Sequence, residues 1–242
     1  MNRLTIIAKL FIALMLAVGV AVLANGVLHL KLANALQFIV YLVLTLAASR
    51  LRVRLPGVNG TMSVNLPFFL IVATQLSAAE ALLIACLGSI VQSLPRANGQ
   101  FKPVRIAFNS ATVTSAVALG TLSFNTALAG GWALSLGLSA AAAAFFFANT
   151  VPVAIVLWLA EEAKPINTWS EIARLTLPYY VLSAGIAAIV CSARSSSAGL
   201  TALVVFAVMC LMYVSYRRYF GETATQSRIT DTVAVQTRAA HT

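Results

Sequence analysis

Residues able to do polar chemistry are few in this chain, and most are uncharged. Asn65, Gln75, Asn109, Thr112 and Asn149 each sit inside or beside a long apolar stretch. Arg105, Asn109 and Thr112 follow i, i+4, i+7 spacing, which puts them on one face of a helix. Amides and hydroxyls can bind an uncharged polar ligand, or they can hydrogen-bond one helix to the next. For any one amide alone the second role is the simpler, with a contribution of about 0.6–2 kcal/mol. If several of them faced one cavity, they would make a ligand pocket. The five residues are therefore the candidate ligand-binding set, and Asn149, close to Pro152, is its second focus.

Other chemistry is poorly supplied. The two histidines are His29, in a polar turn, and His241, next to the C-terminus. The single aspartate, Asp231, lies in the polar tail, so a Ser/His/Asp hydrolase is excluded. There is no phosphate-binding glycine loop and no His-Glu-x-x-His pair. Cys86, Cys191 and Cys210 are scattered through apolar segments, without the spacing of a metal site or a disulfide framework. They read as small buried apolar residues. The expectation is a non-enzyme with no cofactor and no metal. Glu80 is the one carboxylate near an apolar interior. An ionisable residue there marks function by default, but its place at a turn favours a water-exposed role.

The elements that must position these residues are membrane helices. Only 9% of the 242 residues are charged, against roughly 25% in soluble domains. That is too few to cover a water-facing surface, and 60% are hydrophobic. The length suits about eight spans of ~20 residues. The expected fold is all-α, a polytopic integral membrane helical bundle over residues 1–220, with some spans short or broken. Residues 221–242 read as a disordered cytoplasmic tail, being polar and without an apolar face.

The net charge of +10 is distributed in loops. Arg3/Lys9, Arg50/Arg52/Arg54, Arg96/Lys102/Arg105, Lys164/Arg174 and Arg217/Arg218 all fall on one side if the chain crosses eight times, leaving Lys31 and Arg194 opposite. Basic loops stay cytoplasmic, so both termini are expected in the cytoplasm. The partner of this charge is the lipid bilayer rather than nucleic acid, since no soluble module exists to bind one.

Along the chain, spans are expected over about 5–24, 34–49, two short helices within Met62–Leu94 meeting near Ser77–Glu80, 104–124, 132–160, 175–193 and 200–216. Non-helical backbone is expected at Pro56–Gly60 and a kink near Asn149–Pro152, because proline removes a helix hydrogen bond and biases its predecessor away from helix. Glu161–Arg174 is expected to hold a short interfacial helix with Trp169 at headgroup depth. Span five, with its polar stripe, must face protein or water and is expected at the centre.

Several segments resemble the N-terminal membrane-sensor domains that precede HD-GYP or GGDEF domains in bacterial signalling proteins. They are Arg52–Ser63, Arg105–Asn109, Phe146–Thr150, Trp169–Tyr180 and Tyr213–Phe220. The resemblance covers nearly the whole chain. It implies a bacterial inner-membrane module that senses a small ligand or the membrane state and signals through a protein partner. In that family the exit helix runs on into a signalling domain, whereas here Gly221–Thr242 follow, so phosphodiesterase or cyclase output is not implied. The short helices within Met62–Leu94 leave a second reading open, a substrate-binding membrane subunit of a vitamin or small-solute transporter that pairs with an ATPase module.

Overall fold

The structure, a computed structural model, describes residues 6–30, 34–54, 61–95, 100–161, 165–192, 204–215 and 217–218. The helices are α1 (Ile6–Leu28), α2 (Ala35–Arg50), α3 (Leu66–Gln75), α4 (Ala78–Ser93), α5 (Pro103–Ala129), α6 (Leu134–Glu161), α7 (Pro165–Ser192) and α8 (Val204–Ser215). Between α2 and α3 lies a short antiparallel hairpin, β1 (Arg52–Arg54) and β2 (Thr61–Ser63). Four helices, α1, α5, α6 and α7, are long and apolar enough to cross a membrane. The architecture is that of a helical membrane protein, with many large apolar side chains on its outer surface, among them Ile7, Leu10, Leu14, Leu122, Val181 and Ile189.

Local sequence explains where the helices begin and end. Asn34 caps α2 by accepting the Gln37 amide at 3.1 Å. Pro67 and Pro103 stand in the first turns of α3 and α5, where a missing N–H costs nothing. α4 opens on a capping box in which Ser77 and Glu80 satisfy each other's amides. After α5 the chain turns at Gly130–Gly131, and Gly131 adopts φ 79°, a left-handed conformation that favours glycine.

The hydrogen bonds also fix the direction of each element. The Asn65 side chain, just before α3, reaches Ser49 at the end of α2 and Gln92 at the end of α4. Gln75, at the far end of α3, reaches Tyr41 and Gln37 in the first half of α2. So α3 runs antiparallel to α2, and α4 returns alongside it. The two short helices expected within Met62–Leu94 are present and fold back on each other, breaking at Leu76–Ser77. Arg52 Nη2 donates to the Leu94 carbonyl at 2.7 Å, tying the two feet of this unit together. The basic clusters around Arg50–Arg54 and Lys102/Arg105 therefore lie at one end of the bundle, as the charge pattern requires.

α5 is the central helix. It packs on α1, α3, α4 and α6, and residues Ser110 to Val117 are all buried. Eight consecutive buried residues leave no solvent or lipid face over two turns. α3 is enclosed in the same way from Leu66 to Ala73. Its ten residues span about 15 Å, half of a ~30 Å hydrocarbon core.

The stretch expected to be irregular is flanked by a paired hairpin, with Arg52 opposite Ser63 and Arg54 opposite Thr61. Pro56–Gly60 itself lies outside the described residues, as do the tail and the turn at Ser195–Ser197. α6 remains one helix through Pro152, although the ring still offers no N–H to the Ala148 carbonyl. No separate interfacial helix precedes α7, which runs unbroken from Pro165 through Trp169 and Pro178 to Ser192. The reason is tertiary. The Trp169 ring stacks on Phe147 and its N–H donates to Thr150 at 3.2 Å, so this segment continues along α6 as the first turns of α7.

Candidate functional site

The feet of α2, α3 and α4 meet in a buried polar knot. Asn65 is at its centre. Its Oδ1 accepts from Ser63 Oγ at 2.7 Å, and its Nδ2 donates to Ser49 Oγ at 2.9 Å and Gln92 Oε1 at 3.2 Å. Ser49 in turn donates to the Thr45 carbonyl. The next residue, Leu66, gives its amide N–H to the Tyr179 hydroxyl at 2.9 Å. This N–H is one of the free donors of a helix start, and Tyr179 on α7 satisfies it. Tyr180 accepts from Asn149 Nδ2 at 2.9 Å, so α6 joins the same layer. The Tyr180 ring is flanked by Phe145, tilted against it, and by Phe146 and Tyr179, both edge-on.

A second polar group lies at the opposite end of α3. Gln75 Oε1 accepts from Tyr41 Oη at 2.5 Å and from Gln37 Nε2 at 3.4 Å. Thr74 and Cys191 are 3.1 Å apart beside it. Asn65 and Gln75 are thus separated by the length of α3, about 15 Å. Asn109 belongs to neither group and donates to Ser93 Oγ at 3.3 Å. The structure therefore brings Asn149 near the Asn65 knot only through the Tyr179–Tyr180 pair and the Leu66 amide, places Gln75 at the other end of α3, and sets Asn109 against the end of α4.

Thr112 belongs to a row of a different kind. The hydroxyls of Thr112, Thr114, Ser115 and Thr121 on α5 are buried without a hydrogen-bond partner among the described residues. Thr150, Thr176 and Ser183 instead donate to the carbonyl four residues back, while Thr45 on α2 shares the condition of the α5 hydroxyls. An unsatisfied buried hydroxyl costs about 1–3 kcal/mol. α5 carries four of them within three turns, in the most enclosed part of the fold.

Glu80 is not water-exposed, contrary to the reading of its turn position. It is 1% exposed. Its Oε2 accepts from the amide and hydroxyl of Ser77 at 2.9 and 2.7 Å, while Oε1 has no partner. The capping box draws the side chain back over the start of α4 and into the bundle.

The role of Ser49, Ser63 and Tyr179 was not apparent from sequence. Each looks ordinary alone, and only the return of α3 and α7 to the foot of α2 brings them together. One expected result follows for the amides. Asn149→Ala frees the buried Tyr180 hydroxyl, and Asn109→Ala frees Ser93. Each lowers thermal stability by about 1 kcal/mol, read as a shift in the melting temperature of the detergent-solubilised protein. Comparison of the chain with protein-family models, with curated proteins and with solved structures finds no match.

Proposed function

We propose that the chain is a membrane-embedded sensor-like module that binds a small ligand or responds to the membrane state and signals through a protein partner. The observation that carries this reading is the row of four unpartnered hydroxyls on α5. They sit on the helix that touches α1, α3, α4 and α6. Thr112 and Ser115 lie on one side of α5 and Thr114 and Thr121 on the other, so a molecule that engaged either pair would bias the packing of α5 on its neighbours, which is what a two-state sensor requires. The Leu66–Tyr179 and Asn149–Tyr180 bonds couple the α3 foot to α6 and α7. The resemblance to bacterial sensor domains is consistent with this role.

The transporter-subunit reading is favoured by a different observation. α3 is a half-length helix enclosed by protein and breaks from α4 at Leu76–Ser77. Discontinuous helices of this kind supply backbone groups to transported solutes. Affinity purification from native membranes separates the two readings. A sensor is recovered with a signalling protein and without an ATPase module. Stoichiometric recovery of an ATPase module would replace the sensor reading with the transporter one.

In the proposed orientation, the end bearing Arg50, Lys102 and Arg105 faces the cytoplasm of a bacterial inner membrane, because cationic loops are retained there. The α3–α4 unit leaves on the side it enters, so parity is the same whether it makes two short spans or a re-entrant pair. Reporter fusions after Arg54, Arg105 and Arg218 are expected to read cytoplasmic alike. A periplasmic signal at Arg105 alone would reverse the orientation of α5, α6 and α7.

A further inference from the structure

The groove between α1, α4 and α5 lies apart from the Asn65 knot and meets the α5 hydroxyls only at Ser110 and Thr114. It encloses about 350 Å³. Its α1 wall is Leu16, Gly19, Val20 and Leu23, and its α5 wall includes Pro103, Ile106, Ala107 and Thr114. The lining is almost wholly apolar. Gly19 is where the walls converge, since its backbone lies against Ala111 so closely that a Cβ there would come within 2.5 Å of the alanine methyl. Gly26, one helical stretch further on, faces Ala79 and Leu82 of α4, and Leu16 shares the groove with Ile90. So α1 runs antiparallel to α4 and parallel to α5.

That direction determines what stands at the mouth. Towards the start of α5 the groove ends at Phe101 and Pro103, and exposed Lys102 lies between them. On α1, Lys9 is seven residues before Leu16 and fourteen before Leu23, which places it on the groove-facing side. Counting back from the Gly19–Ala111 contact, Lys9 comes level with Phe101. Arg105 is exposed in the first turn of α5. This first turn has no acidic residue, and Lys102 supplies no side-chain cap, so its amides keep their partial positive charge unopposed. The groove is therefore apolar along its length and positive at one end. Its depth from Pro103 to Thr114 is about 16 Å, long enough for much of an acyl chain.

We propose that this groove is a binding site for an anionic glycerophospholipid. One acyl chain lies between α1 and α5, and the phosphate sits at Lys9, Lys102 and the start of α5. A zwitterionic lipid offers the same chains with its charge neutralised, and is the weaker ligand. The inference rests on the placement of the chain in a membrane and not on signalling, so it stands or falls separately from recovery of a partner.

The test uses the full chain, delipidated in detergent, with thermal stabilisation and native mass spectrometry as the two readouts. The probes are phosphatidylglycerol, phosphatidylcholine and diacylglycerol of identical chains, together with soluble glycerol phosphate. Phosphatidylglycerol is expected to be retained and to stabilise most. K9A/K102A should weaken it by about 30-fold, from the effect of two lysines at a lipid surface, and bring it level with phosphatidylcholine. A107F places a ring on the exposed groove wall and should abolish retention of all three lipids. R174A, which removes a cation from α7, should change nothing. If K9A/K102A kept the preference for phosphatidylglycerol, or A107F kept the lipid, the proposal would be overturned. Equal stabilisation by glycerol phosphate would overturn it in favour of a soluble anion. Loss of a dimer in A107F with lipid retention intact would assign the groove to a second copy of the chain.

Discussion

Gly19→Leu is expected to detach α1 from the bundle. Even an alanine Cβ at this position would stand 2.5 Å from Ala111 Cβ and 2.6 Å from its Cα. The second of these is backbone, so no rotamer change relieves it. α5 cannot give way either, because residues Ser110 to Val117 are enclosed on every side. The helices must separate, and the close packing that small residues permit between membrane helices is lost along the whole seam. Overpacking costs about 1–3 kcal/mol where a core can adjust, and the upper end applies here. Gly185→Ala is the internal control. Nothing lies within 4 Å of a Cβ at Gly185 on α7, so the substitution should gain about 0.5–1 kcal/mol from helix propensity alone. Melting temperatures of the two variants in the same detergent should move in opposite directions. Equal behaviour would mean that α1 does not pack on α5 as described.

Asn65→Ala is expected to be the most damaging of the amide substitutions. It removes three hydrogen bonds at once and leaves Ser63, Ser49 and Gln92 without their shared partner. Asn65 is 4% exposed and Ser49 and Ser63 are equally enclosed, so water cannot readily replace it. A buried polar group left unsatisfied costs about 1–3 kcal/mol, and here three are affected in one pocket. The loss should exceed that of Asn109→Ala, whose amide makes a single 3.3 Å bond. Because the Asn65 side chain ties β2 and the end of α2 to the α3 foot, the variant should expose the α2–α3 connection to proteolysis. A melting temperature no lower than that of Asn109→Ala would show that the knot at the α3 foot contributes little to stability.

The sequence alone determined the broad outline of this protein. Apolar runs interrupted by basic loops specify a helical membrane chain, because charge and exposed backbone are too costly in hydrocarbon to be placed otherwise. The rough limits of the described helices follow from the same runs, and the break near Ser77 follows from the basic residues on both sides of Met62–Leu94, which keep the two ends of that stretch on one side. The polar face of α5 indicated a central position, since lipid offers hydroxyls and amides no partner.

Only the tertiary structure decided which polar residues share a site. Asn65 and Gln75 look equivalent in sequence, but one packs at the foot of α3 and the other at its far end. Tyr179 and Ser49 became partners of the α3 foot only because the middle of α7 and the end of α2 meet there. Trp169 carries the residue type of a membrane interface, but it found a ring and a hydroxyl on α6 and became part of a continuous helix. Glu80 looked like a surface turn residue until its cap drew it inward. The common reason is that periodicity fixes a face within one helix, whereas a site needs faces from several helices brought to one depth. That depth is set by side-chain packing and hydrogen bonds between segments far apart in the chain, and the local sequence holds no record of them.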